Sequence, residues 1–207
     1  GLSNWRYLLV NGLSQENYLR ENYYPDMVEI ESGYFFQRRA ADALKEFLAA
    51  ARAQGFTVSI SRTYMSYPDQ RTRFNGMAST IYDRGEMSLA DAEKEVAAMG
   101  YSPGADEHQT GLAVNFVGEN AEAKFSTPVL EWMREHCAEY GFIIRYPKDK
   151  TKITGYIYEP WHLRYVGREA AQEITALDVT FEEYIAMVRS DRIQWLQEET
   201  QYDDQNP

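Results

Sequence analysis

The stretch YGFIIRYPKDKTKITGYIYEPWHLRYVG, Tyr140 to Gly167, decides the fold. Two apolar, aromatic-rich runs, FIIRY and TGYIYE, flank the charged turn PKDKTK, a pattern that predicts two strands joined by a tight connection. Upstream, Pro128 to Tyr140 carries apolar residues at helical spacing, with Thr127 as expected cap, proline at the first position and Gly141 behind. Downstream, TFEEYIAMV opens with a capping box from Thr180 to Glu183 and is expected to be helical.

The same reading extends to the N-terminal half. Phe36, Ala40, Leu44, Phe47 and Ala51 recur at helical spacing and predict one helix over Phe35 to Gln54, closed by Gly55. FTVSIS then alternates Phe56, Val58 and Ile60 against Thr57, Ser59 and Ser61, the period of a half-buried strand that delivers Arg62 to Tyr67 to an edge. Ser88, Asp91 and Gly100 bracket a further helix. Helices around a central, mainly antiparallel sheet make an α+β domain, expected to occupy residues 1–196 as a single unit, with 197–207 as an acidic, frayed tail.

Composition narrows the function classes. The chain has 207 residues, and its 21 Lys and Arg against 32 Asp and Glu give a net charge of −11, which argues against nucleic acid as a partner. The single cysteine, Cys137, excludes an internal disulfide and a cysteine zinc knuckle, and is expected to be a packed core residue. No run approaches the roughly 18 apolar residues of a membrane span. No signal peptide precedes Trp5, and a cloning remnant at Gly1 would be compatible with an export signal trimmed away.

Three histidines can be examined one by one. His136, among Arg134, Glu135 and Glu139, reads as structural. His108 stands in GADEHQTGLAVNF, seven residues before Asn115, and His162 stands in EPWHLRY, three after Glu159. Zinc hydrolases use imidazole and carboxylate ligands with a separate carboxylate as base, so Glu159 is a candidate base beside His162. An alternating strand would send positions three apart to opposite faces, so a turn at Pro160 is expected to aim both into one cleft.

These blocks, together with LLVN from Leu8, YPDMVEI and FEEYI, resemble the zinc D,D-carboxypeptidases of the VanY type, which trim D-alanine from peptidoglycan peptides. The resemblance implies a zinc D,D-peptidase (hedgehog-like) fold with zinc in a groove, a peptidoglycan stem peptide as partner, and an extracytoplasmic location. Carried across the motif S-x-H-x-x-G-x-A-x-D and the later E-x-x-H, it implies His108, Asn115 and His162 as metal ligands and Glu159 as general base. It places Met65, Ser66, Gln70, Asp106, Arg62 and Trp161 in the substrate-binding part.

Three positions depart from the family pattern. Asn115 stands for the aspartate ligand, Asp106 for the serine before the histidine, and Met65 for the arginine of S-x-Y-R-S-Y. A neutral amide removes one negative charge beside a dication, so zinc affinity is expected to fall. Methionine donates no hydrogen bond and Asp106 repels a carboxylate, so a neutral or amino-bearing ligand end is expected to fit best. Arg62, three before Met65, could reach the site only if the extended segment did not point it to the opposite face. Two readings stand side by side: a zinc carboxypeptidase, and an inactive homologue that binds a cell-wall or other peptide without cleaving it.

Overall fold

The computed structural model describes residues 5–85, 87–117 and 127–191. Strands β1 (Met27–Glu31) and β2 (Tyr34–Gln37) form an antiparallel hairpin that turns at Gly33, whose φ of 80° suits glycine. Helix α1 (Ala41–Ala53) follows after a 3-10 turn over Arg38–Ala40. The helix expected from Phe35 therefore begins six residues later, because Phe35 and Phe36 pair with Glu29 and Val28. Phe36 is buried as the periodicity required, but it enters the core from a strand.

The central sheet is fully antiparallel, ordered β3 (Ser59–Arg62), β4 (Ala113–Val117), β6 (Glu159–Tyr165), β5 (Phe142–Tyr146). FIIRY is a strand as expected, whereas TGYIYE is not. Thr151–Thr154 forms a single helical turn, α5, ended by Gly155 at φ 80°. The Thr154 hydroxyl bridges to Lys150 and Tyr156 carbonyls (3.3 and 3.2 Å), fixing a loop, and the strand starts only at Glu159. Pro160 is tolerated in this inner strand because it falls where the β5–β6 register shifts.

Helix α1 and helix α4 (Thr127–His136) cover the main apolar cluster, in which Phe47 lies 5.4 to 5.8 Å from the rings of Trp132, Tyr140, Phe116 and Phe142. Helix α4 starts at Thr127, whose side chain, expected as its cap, lies outside those described, as does the tail at 197–207; the helix expected to run to Tyr140 ends at His136 and continues as a 3-10 turn over Cys137–Tyr140. Cys137 is buried, and desolvation pushes its thiol up to about 12. Helix α6 (Arg168–Leu177) and helix α7 (residues 181–191) seal a second cluster around Val166, Phe181 and Ile185. The Thr180 capping box forms as expected: Glu183 accepts from Thr180 N (2.7 Å), and Thr180 Oγ1 accepts from Glu183 N (3.2 Å).

Between β3 and β4 the chain makes a helical hairpin, α2 (Tyr67–Tyr82) and α3 (Leu89–Ala98), with a small cluster of its own around Ala78, Ala92 and Val96. Ser88 caps α3 as expected. Helix α2 was not anticipated, although Ser66 and Pro68 are the start signals: Ser66 Oγ accepts from Asp69 N (3.3 Å) and donates to its carboxylate (2.5 Å). Among the described residues no helix is long and apolar enough to cross a membrane.

Candidate active site

One row across the sheet builds the site. In the registers of β3, β4 and β6, Arg62 lies opposite Asn115, and Asn115 opposite His162, so the three occupy neighbouring positions across the strands. His108 reaches this row from a 3-10 turn, Glu107–Thr110, that precedes β4. The Asp106 carboxylate caps the turn by accepting from His108 N (2.9 Å), and Gly111 ends it at φ 68°. That φ favours glycine, and a Cβ there would also press on the flexible end of Met27 (2.7 Å to Sδ) and on Gln37 N (3.3 Å), where the β1–β2 hairpin closes against the turn.

His108 Nε2 meets Asn115 Oδ1 at 3.1 Å, and the His108 and His162 rings are 4.9 Å apart. Glu159 Oε2 lies 3.4 Å from His162 Nδ1. Glu159 and His162 share one β-strand, not a turn, yet they meet on one side. Between the pairs Ile144–Leu163 and Tyr146–Glu159, β5 advances two residues while β6 advances four, which breaks the simple alternation.

Buried charge supports this row from behind. Glu107 Oε1 accepts from His162 Nε2 (2.9 Å), which turns His162 Nδ1 toward the cavity. Glu107 Oε2 binds Arg145 Nε and Arg164 Nη1, each at 2.9 Å, and Arg145 also holds Glu182 (2.6 Å). Arg164 and Arg145 donate further to the carbonyls of Arg6, Leu8 and Val10. Burial opposes the Glu107 charge, but the two guanidiniums and His162 outweigh it and keep the carboxyl far below its ordinary range. Burial also opposes the Arg145 charge, which Glu107 and Glu182 hold above its ordinary value.

The two site imidazoles differ. Burial pushes His108 down to about 4, against the pull of Asp106, so it is neutral at pH 7 with Nδ1 unpartnered. Burial lowers His162 as well, but hydrogen bonds to Glu107 and Glu159 raise it above its ordinary value. Asp106 ends below its usual carboxylate range: burial raises it, and His108, its N–H and Arg62 overcome that.

These groups line a cavity of about 180 Å³. Of the residues the sequence singled out, it brings together Arg62, Asp106, His108, Asn115, Glu159, Trp161 and His162. Met65, Ser66 and Gln70 stand outside its lining. Met65 N donates to His108 O (3.3 Å), Ser66 caps α2, and the buried Gln70 braces Gly104 N (2.7 Å) and Asp106 O (3.0 Å). His136 pairs with Glu139 (2.7 Å), away from the site.

Four lining residues went unread: Arg73, Tyr101, Tyr146 and Tyr156. Arg73 follows Ser66 and Pro68 on the unanticipated helix. Tyr156 stacks on Tyr146 at 4.4 Å, and its hydroxyl donates to Gly100 O (2.8 Å). Tyr146 in turn sets its edge against His162 at 4.7 Å. The partners of Glu107 were signalled by Arg145 and Arg164 standing inside apolar strand runs, where a buried cation needs an anion.

Two imidazole nitrogens and an amide oxygen suit a zinc site in number and atom type, since catalytic zinc takes three protein ligands. They differ in charge, since position 115 is an amide, and among the described residues no group of three His, Cys, Asp or Glu side chains is placed to hold a metal.

A family model described as VanY, D-alanyl-D-alanine carboxypeptidase, matches residues 34–168. A putative carboxypeptidase, YodJ, of Bacillus subtilis is 42% identical over 160 residues, covering 75% of this chain and 55% of the relative. The chain thus spans about half the length of that relative. A vancomycin resistance D,D-pentapeptidase VanY, solved as a mutant with Zn(II), is 32% identical with a TM-score of 0.75, covering 88% of this chain and 99% of that one. The structure of VanYB with D-alanine-D-alanine is 32% identical with a TM-score of 0.76, covering 88% and 98%.

Proposed function

This chain belongs to the VanY family of D-alanyl-D-alanine carboxypeptidases, and from that premise we propose that it is a zinc-dependent carboxypeptidase of peptidoglycan stem peptides, working outside the cytoplasmic membrane. The observation that carries the reading is the convergence of His108, Asn115, His162 and Glu159 on one cavity. His108 Nε2, Asn115 Oδ1 and His162 Nδ1 are the donors that would hold zinc. When bound, zinc supplies Lewis-acid polarisation of the scissile carbonyl and a more acidic water. Glu159 takes the proton of the attacking water and returns it to the leaving amine as the C–N bond breaks. Glu107 keeps His162 in the tautomer that leaves Nδ1 facing the cavity.

The test pairs zinc content of the purified protein with release of D-alanine from a stem pentapeptide. Zinc near one equivalent, with release abolished by a chelator and by Glu159→Gln, supports the reading.

The Asn115 amide favours a second reading, a cleft that binds the peptide without cutting it. The neutral donor set offers one negative charge fewer to a dication, and the amide already satisfies His108 Nε2 at 3.1 Å. An intact peptide after prolonged incubation with zinc, together with measurable binding, would favour this reading.

A further inference from the structure

The cavity holds more positive charge than its chemistry uses. Arg62 comes from the edge strand β3 and Arg73 from helix α2, and both line the same cavity as His108, Asn115 and His162. Arg62 is held in the β3–β4 ladder opposite Asn115, and among the described residues its side chain makes no hydrogen bond or ion pair. Arg73 meets Asp106 at a loose 3.6 Å and lies 4.4 Å over the Tyr101 ring. Asp106 is already engaged, since its carboxylate caps the His108 turn. Among the described residues Asp106 is the one carboxylate within ion-pair distance of either guanidinium and is partly committed, while Glu159, whose charge also bears on Arg62, is the base of the proposed reaction, so the pair is open to an incoming anion.

We infer that Arg62 and Arg73 form a carboxylate clamp that grips the free C-terminal carboxylate of the bound peptide. The assignment rests on the reading of the cavity as a peptide site, and it deepens that reading by naming what recognises the peptide end. It takes over the role that the family resemblance gave to an arginine at position 65, where this chain has methionine. It also reverses the expectation from sequence that Asp106 and the missing arginine favour a neutral or amino-bearing end.

Two observations support the clamp. Arg62 sits in the row with Asn115 and His162, so a carboxylate on it brings the adjoining peptide bond toward the zinc donors and Glu159. The planar fork of each guanidinium matches a carboxylate, and Tyr101 holds the Arg73 plane in place.

The experiment measures dissociation constants by calorimetry for the purified protein and three stem pentapeptides: the free acid, its C-terminal amide, and the free acid with side-chain carboxylates amidated. The clamp predicts that the two free acids bind alike and the terminal amide about ten- to a hundred-fold more weakly. Arg62→Gln and Arg73→Gln should each weaken the free acids toward the amide while leaving the amide unchanged, and Arg73→Lys should recover part of the loss. Equal binding of acid and amide, or no binding of any peptide, overturns the clamp. Affinity that follows the side-chain carboxylates overturns the C-terminal assignment. Full recovery in Arg73→Gln with Asp106→Ser also overturns it, since the loss would then come from an unmasked Asp106. Product analysis on the same samples separates the two claims: acid-selective binding without D-alanine release refutes the hydrolysis and keeps the clamp, and release without acid selectivity does the reverse.

Discussion

The two walls of the cleft are built in different ways. On one, His108, Asn115, Glu159 and His162 stand on or beside sheet strands, backed by the fully buried Glu107, Arg145 and Arg164. On the other, Arg73 and Tyr101 come from the α2–α3 hairpin and the residues just after it, which pack mainly on a small apolar cluster. A buried ion network tolerates little change, because removing one partner strands the others' charge in a medium that solvates it poorly. A small apolar cluster tolerates drift. The wall that carries the candidate zinc donors therefore rests on buried charge, and the wall that carries Arg73 rests on a small apolar cluster.

The sharpest way to break this contrast is Glu107→Ala. It should destabilise the whole fold by about 3–5 kcal/mol in chemical denaturation, since two arginines lose their common anion. A loss below about 1 kcal/mol would mean that the network does not anchor that wall. Asn115→Asp acts on the same wall without touching its support. It should tighten zinc binding about ten- to a hundred-fold in competition with a chromophoric chelator, by restoring the missing charge.

On the other wall, Val96→Ala should cost about 2 kcal/mol. Amide exchange should speed up in α2 and α3 and stay protected in β4 and β6; uniform loss would show that the hairpin is not a separate unit. The smallest effect belongs to neither wall. Thr180→Ala should lower stability by about 1 kcal/mol through loss of the α7 cap. Glu183 provides its pH signature. Hydrogen bonding to Thr180 holds its folded pKa below the ordinary carboxylate value, so its contribution is present above that ordinary value and fades as pH falls through the lower, folded one. Glu183→Gln should flatten that part of the acid unfolding curve.

Much of this fold was legible because the dominant signals were local. Ser88, Thr180 and Gly141 act where their residue types predict, and FIIRY and the end of FTVSIS are strands. The errors share a cause: the same side chains serve two local structures. Phe36 fits helical spacing and a strand alike, and the alternating tyrosines of TGYIYE line a loop that Thr154 holds shut. For the candidate site, what was legible is that the motif residues His108, Asn115, Glu159 and His162 converge on one cavity. Register was not legible. That Arg62 lies beside Asn115 depends on an irregularity between Ile60 and Arg62, and that Glu159 reaches His162 depends on the shift in β6, neither of which has a sequence period. Arg73 was hidden by the unread helix α2 that carries it.

Arg164 and Arg145 take hold of carbonyls near the start of the described chain, at sequence separations of 135 to 158 residues. Such bonds close only after nearly all of the intervening chain is in place, so the support beneath His162 is among the last parts of the molecule to be completed during synthesis and refolding. Glu107 itself waits only for Arg145 and Arg164, 38 and 57 residues further along the chain. Because Glu159, His162 and Arg164 all stand on β6, a chain that stops before this strand lacks half of the candidate site's support and two of its polar groups.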